Sequence, residues 1–189
     1  MRSILYQLIK HVFNLISLIQ TLLRLGVGSN VGDTGAQYIA EALKINKVLT
    51  QLSLYQNQIT DTGAQYLADA LKINKTLTHL VLQQNQISDN GAQQLADMLK
   101  VNKTLKELYL SKNQIGDNGA QQLTNALREN QTLTHLYLKN NQIRDSGAQN
   151  LAEALRNNQT IQLVYLNNNN NISAQVKTRL KQQDQRLNF

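Results

Sequence analysis

The side chains able to do chemistry fall at intervals of 28 residues. His79, Glu107 and His135 hold equivalent places in three successive copies of one pattern, and Tyr109, Tyr137 and Tyr165 hold another. A carboxylate between two imidazoles could pass a proton or share a metal ion. Spacing argues against both. If each copy contributes one strand to a sheet, neighbours lie about 5 Å apart, so the two histidines stand about 10 Å apart at the backbone. That is wide for shared ligation, and His11, the remaining histidine, belongs to a distant segment. Ser111 has no positioned base beside it. Cysteine is absent, which excludes thiolate nucleophiles and thiolate metal sites, and no G-x-S-x-G, Walker A or H-E-x-x-H pattern occurs. The expectation is therefore a protein without enzymatic activity, cofactor or metal, in which the histidines make polar contacts sensitive to pH. The tyrosines suggest recognition, since Tyr is a rigid amphipathic anchor favoured at binding hot spots.

The elements that carry these residues are repeats. Leu49, Leu77, Leu105, Leu133 and Ile161 open segments 28 residues apart, with the frame L-T-x-L-x-L-x-x-N-Q-I-x-D-x-G-A-Q-x-L-A-x-A-L-[KR]-x-N-[KQ]-T. The opening L-x-L alternates as a short strand does. Ala64, Leu67, Ala68 and Leu71 then mark one face of a helix. Asp61, Asp89, Asp117 and Asp145 stand at the helix starts, where an acid can cap free amides, with Thr60 or Ser88 able to share the role. Asn46, Asn74, Asn102, Asn130 and Asn158 follow the helices, where a left-handed residue is expected. Asn57, Asn85, Asn113, Asn141 and Asn169 recur where the strand bends away; buried there, they would bond to loop amides between units. Gly63, Gly91, Gly119 and Gly147 would permit close packing at the helix start. No unit can bury its apolar stripe alone, but stacked units can.

This frame resembles the leucine-rich repeat of the ribonuclease-inhibitor class over residues 22–172. Members of that class include ribonuclease inhibitor, the Ran GTPase-activating protein and the sensor domains of NOD-like receptors. The resemblance implies an α/β fold, a short right-handed horseshoe solenoid with a parallel concave sheet and convex helices, closed by a capping helix at each end. It also implies protein binding on the concave face. Residues between the leucines face away from the core. They are Gln51, Ser53 and Tyr55; His79, Val81 and Gln83; Glu107, Tyr109 and Ser111; His135, Tyr137 and Lys139; and Leu163, Tyr165 and Asn167. These positions vary between units while the leucines do not.

The ends differ from the middle. Residues 22–48 read as a copy one residue short, with Val31 in the place of Ile59. Residues 1–21 read as the capping helix of a degenerate unit. Leu5, Leu8, Phe13 and Leu15 make it apolar around most of its girth. Two readings stay open: an oversized cap closing over its own core, or a patch docking on a second copy, another chain or a membrane surface, the protein then being a receptor-like sensor fragment or a small-GTPase regulator. Residues 173–189 read as a polar C-terminal cap with Val176 and Leu180 inward and Leu187 and Phe189 folded beneath. Residues 1–30 carry +3 and residues 173–189 carry +3 of the net charge of +7, so most of the basic excess sits at the ends. A basic stripe suited to nucleic acid is missing, and the N-terminal segment is too interrupted by polar residues for a membrane span. With no cysteines, a cytoplasmic protein-interaction module is expected.

Overall fold

In a computed structural model of the chain, residues 24–27 and 30–189 are described. The expected capping helix over residues 1–21, with Leu5, Leu8, Phe13 and Leu15, lies outside them. Among the described residues, one parallel sheet runs in sequence order through Arg24–Gly26 (β1), Gln51–Ser53 (β2), His79–Val81 (β3), Glu107–Tyr109 (β4), His135–Tyr137 (β5), Leu163–Tyr165 (β6) and Leu187–Asn188 (β7). Helices Gly32–Ile45 (α1), Asp61–Ile73 (α2), Asp89–Val101 (α3), Asp117–Glu129 (α4), Asp145–Asn157 (α5) and Ala174–Gln183 (α6) alternate with the strands. From β2 to β6 each register step is one repeat, so Leu52, Leu80, Leu108, Leu136 and Val164 form a single row. That row, the row Leu54 to Leu166 and the helix faces centred on Leu67, Leu95, Leu123 and Leu151 are fully buried. β1 pairs in the same register, and Val31 packs half-buried against the core of the shortened unit.

Backbone bonds beside each three-residue strand, such as Leu82 N to Tyr109 O and Gln84 N to Ser111 O, join neighbouring units, and two rows of asparagine satisfy the backbone groups left at the bends. Asn85 Nδ2 donates to the carbonyls of Leu54 and Leu82, while its Oδ1 accepts from the amides of Asn57 and Ile59. Asn57, Asn113, Asn141 and Asn169 repeat the pattern with small variations. The second row does work that the sequence reading misassigned. Asn74 and its equivalents are not left-handed; Asn74 is extended at φ −63° and ψ 134°. Its buried amide donates to Leu43 O at 2.8 Å and Asn46 O at 3.1 Å, and its Oδ1 accepts from the amides of Thr76 and Leu77. Asn there fits because one amide reaches both the previous helix end and the next strand. Left-handed backbone recurs instead at Gln56, Gln84, Lys112, Asn140 and Asn168, one place before the first asparagine row, and occurs also at Asn30, Gly32 and Gln58.

The recurrent aspartates also act between units rather than on their own helices. Asp89 Oδ1 accepts from Gly116 N at 2.7 Å and Gly119 N at 2.9 Å, at the start of the next helix. Asp33 does the same two units earlier and Asp117 one unit later. The glycine follows from this contact. A β-carbon at Gly119 would stand 2.7 Å from Asp89 Oδ1 and 2.8 Å from Ile115 Cγ2. The helices' own caps are the hydroxyls of Thr60, Ser88 and Ser173.

The C-terminal end substitutes for a missing repeat. Residues 187–188 add β7 to the sheet, with Leu187 beside Val164 and fully covered. Arg186 stands 28 residues after Asn158, where the next asparagine of the second row would be. Its Nη1 donates to Asn158 O at 2.6 Å and its Nη2 to Leu155 O at 2.5 Å. Asn158 bonds the equivalent carbonyls one unit back, Asn130 O and Leu127 O. Asp184 clamps the guanidinium through both carboxylate oxygens, and this bonding to Arg186 holds the Asp184 carboxyl below the usual carboxylate range. A depressed folded value means that the stabilisation is present above the ordinary carboxyl value of about 3.9 and is lost as pH falls through the folded value. On acidification below about pH 4 the amides of Leu187 and Asn188 should therefore lose hydrogen-exchange protection before those of β4, and Asp184→Asn should show that loss already at neutral pH.

Candidate functional site

The side chains between the buried leucines emerge on the open face of the sheet, and their order follows from the register. Val81, Tyr109, Tyr137 and Tyr165 form one row. Strand spacing of about 4.8 Å nearly matches the thickness of stacked rings. The rings of Tyr109 and Tyr137 stack accordingly, with centroids 4.0 Å apart and planes 6° from parallel; Tyr137 and Tyr165 stack at 4.7 Å and 10°. All three remain half-buried. Lys139 Nζ sits 4.6 Å from the Tyr165 ring centre, a cation over the far end of the stack.

Glu107 ties the tyrosine row to the neighbouring one. One carboxylate oxygen accepts a short hydrogen bond from the Tyr109 hydroxyl, and the other lies 3.3 Å from His79 Nε2. His135 bonds to Thr134 Oγ1 through Nδ1 and lies parallel to Tyr137 at 6.2 Å. The two histidines thus have separate partners and do not converge. Among the described residues no group of three or more His, Asp or Glu side chains is placed to hold a metal ion.

The other sequence-selected positions divide. Gln51, Ser53, Gln83, Leu163 and Asn167 are half-buried on the same face. Tyr55 is 42% exposed and stands apart from the tyrosine stack, because it shares its row with Gln83, Ser111, Lys139 and Asn167; its hydroxyl donates to Gln84 Oε1 at 2.8 Å. Ser111 corrects the sequence reading. It is buried, and its Oγ accepts from the Lys139 amide at 3.2 Å, so it braces the sheet and is not free to meet a partner. A small hydroxyl sinks there where the longer chains of its row stay at the surface. Leu5, Leu8, Phe13 and Leu15 lie outside the described residues.

The family model described as the TMOD/LMOD leucine-rich domain matches residues 29–116, and a general leucine-rich repeat model matches residues 129–152. The chain contains a leucine-rich-repeat domain. Similar solved structures include one of leiomodin-1, titled for its actin-binding site 2. It is 21% identical, covers 90% of this chain and 94% of that one, and has a TM-score of 0.60. Another is the tropomodulin C-terminal domain of Caenorhabditis elegans, 14% identical, covering 93% and 92%, with a TM-score of 0.59. These likenesses concern the fold. No curated protein matches the chain in sequence. Among the described residues no helix is long and apolar enough to cross a membrane.

The stack also sets the protonation of its phenols. Burial first, then the bond to Glu107, pushes the Tyr109 hydroxyl above the ordinary phenol range, and burial raises Tyr137 as well. A raised folded value means that stability is full below the ordinary phenol value of about 10 and declines as pH rises beyond it. Spectrophotometric phenolate titration should resolve a late-ionising class that contains these two tyrosines, and Glu107→Gln should bring Tyr109 earlier.

Proposed function

We propose that the chain is a non-enzymatic protein-interaction module that grips a partner on its concave face. The observation that carries this reading is the preassembled stack of Tyr109, Tyr137 and Tyr165, flanked by the Glu107–His79 pair at one end and Lys139 at the other. Rings held parallel by their neighbours lose little freedom on binding, and their hydroxyl edges supply directional bonds. A frame of buried leucines alone did not require aromatic side chains on the open face. The leucine-rich-repeat unit supports the same reading.

Actin is the first partner to test, because the leiomodin-1 structure is titled for an actin-binding site. A cytoplasmic setting accords with that partner and with a chain free of cysteine.

The two layers of the strand should separate by mutation. Tyr137→Ala should leave folding nearly unchanged and weaken partner capture by about 1 kcal/mol or more. Leu108→Ala should cost about 2–5 kcal/mol of stability, read from denaturant unfolding. The decisive comparison is a pull-down, with purified actin tried first, using the intact chain and a variant in which all three stacked tyrosines are Ala. Capture that survives in a folded triple variant would place the binding surface elsewhere.

A further inference from the structure

The repeat breaks at α6, and the break opens a groove. Helices α2 to α5 each carry a glycine three residues after the cap, as Gly119 follows Gly116 and Gly147 follows Arg144, and the preceding aspartate reaches into that space. In α6 the same place is taken by Val176. Asp145 Oδ1 accepts from Ser173 N at 2.6 Å, but the Val176 amide donates to the Ser173 hydroxyl instead. With a branched side chain where the inner units have a bare α-carbon, α6 packs far more sparsely on α5 than the inner helices pack on one another. Ala152 is 7% exposed, whereas its equivalents Ala68 and Ala96 are at most 1% exposed. The space left between α5 and α6 is a cavity of about 280 Å³, floored by Ala152 and Leu180.

Charge on the walls departs from the repeat as well. Lys44, Lys72 and Lys100, in the last turns of α1 to α3, each pair with an acid three residues earlier at 2.6–2.9 Å. In α4 that acid is replaced by Asn125, and Arg128 turns to Glu153 of the next helix at 3.6 Å. Glu153 is the acid three residues before Arg156, so Arg156 is left without one. Across the groove α6 contains no acid, and Arg179 is equally unmatched. Among the described residues neither guanidinium has a carboxylate within ion-pair distance. Both line the cavity, together with the side-chain amides of Gln149 and Gln183. The groove therefore carries two uncompensated positive charges above a small apolar floor, since the carboxylate of Glu153 on its wall is balanced by Arg128.

We propose that this groove binds a phosphotyrosine side chain of a partner protein. An aryl phosphate carries a charge of about −2 near neutral pH and three acceptor oxygens, which match two guanidiniums that each present a planar fork of donors. A single carboxylate would leave one of the two arginines unmatched. The phenyl ring covers the apolar floor, and guanidinium planes stack on aromatic faces. Phosphoserine offers the same head on a stem too short to cover Ala152 and Leu180 while meeting both walls. A phosphoinositide headgroup brings ring hydroxyls that the alanine and leucine of the floor cannot bond. The groove lies on helices, apart from the tyrosine stack of β4 to β6, and stands whether or not that stack is a binding face.

The test uses the full chain and a fluorescein-labelled Gly-Ser peptide with one central phosphotyrosine. Fluorescence anisotropy should show saturable binding that the unphosphorylated peptide lacks and that phenyl phosphate displaces at lower concentration than inorganic phosphate. Arg156→Gln and Arg179→Gln should each weaken binding about tenfold, since each removes a charge-assisted contact. Their thermal midpoints should be unchanged, because both side chains are exposed. Lys177→Gln with Lys181→Gln removes charge from α6 outside the cavity and should leave binding nearly unchanged. Tyr137→Ala should also leave it intact, which keeps failure of this proposal distinct from failure of the concave-face reading. The proposal is overturned if the phosphotyrosine peptide shows no saturable binding, if either arginine variant binds it as the natural chain does, or if the lysine variant loses as much binding as an arginine variant. It is likewise overturned if inorganic phosphate or a phosphoserine peptide competes as well as phenyl phosphate. Vesicles containing phosphatidylinositol bisphosphate that bind the natural chain more tightly than the peptide, and lose that binding in Arg156→Gln, would overturn it by assigning the groove to a membrane.

Discussion

The solenoid depends on one kind of interaction: a buried asparagine amide that bonds backbone groups of its own and the preceding unit. Backbone bonds along and beside the strands join neighbouring units, but the chain must also bend twice per unit without leaving polar groups unpaired in the core. An Asn side chain carries two donors and an acceptor with two lone pairs, which matches the requirement at both bends. Asn74 alone joins the end of α1, the turn after it and the start of the next strand. An apolar residue there would leave those carbonyls and amides buried without partners, at a cost of about 1–3 kcal/mol for each group. The leucines supply the driving force for stacking, and the asparagines decide the register in which stacking occurs.

That division of labour frees the outward positions. Because the frame is closed by Leu, Ala, Asn, Asp and Gly at fixed places, the residues between them can change from unit to unit without threatening the fold. The concave face uses this freedom for a tyrosine stack, and α5 and α6 use it for a groove walled by two arginines. One surface lies on strands and the other on helices, so the two can be altered independently. The aspartate contact between helix starts explains the glycines within the same logic, since each glycine is the space into which the preceding aspartate reaches.

Much of this was legible in the sequence because a repeat is its own internal control. Period, strand, helix face, leucine core and the first asparagine row all follow from residues that recur at 28-residue spacing. What the spacing could not show was direction. Asp61 and its equivalents look like caps for the helices that they begin, but a carboxylate on one helix can as well reach the next helix start, and recurrence is identical in both cases. The second asparagine row suggested a left-handed helix end for the same reason; local propensity was outweighed by bonds across 28 and 31 residues. Ser111 occupies an outward place in the pattern yet is buried, because its neighbours are long and it is short. Arg186 was missed since it replaces an asparagine by a different side chain, though its distance from Asn158 is one full repeat. The groove between Arg156 and Arg179 was missed too, since it arises where Val176 replaces the recurrent glycine.

Buried asparagines lock the bends between one unit and the next, where the strand ladder does not reach. Native-state hydrogen exchange of the amides of Ile59, Ile87 and Ile115, which donate to Asn85, Asn113 and Asn141 of the next unit, tests it most directly. These amides should exchange as slowly as those in the middle of α3, by global unfolding alone. Exchange orders of magnitude faster than α3, through local opening at the unit boundaries, would contradict the account.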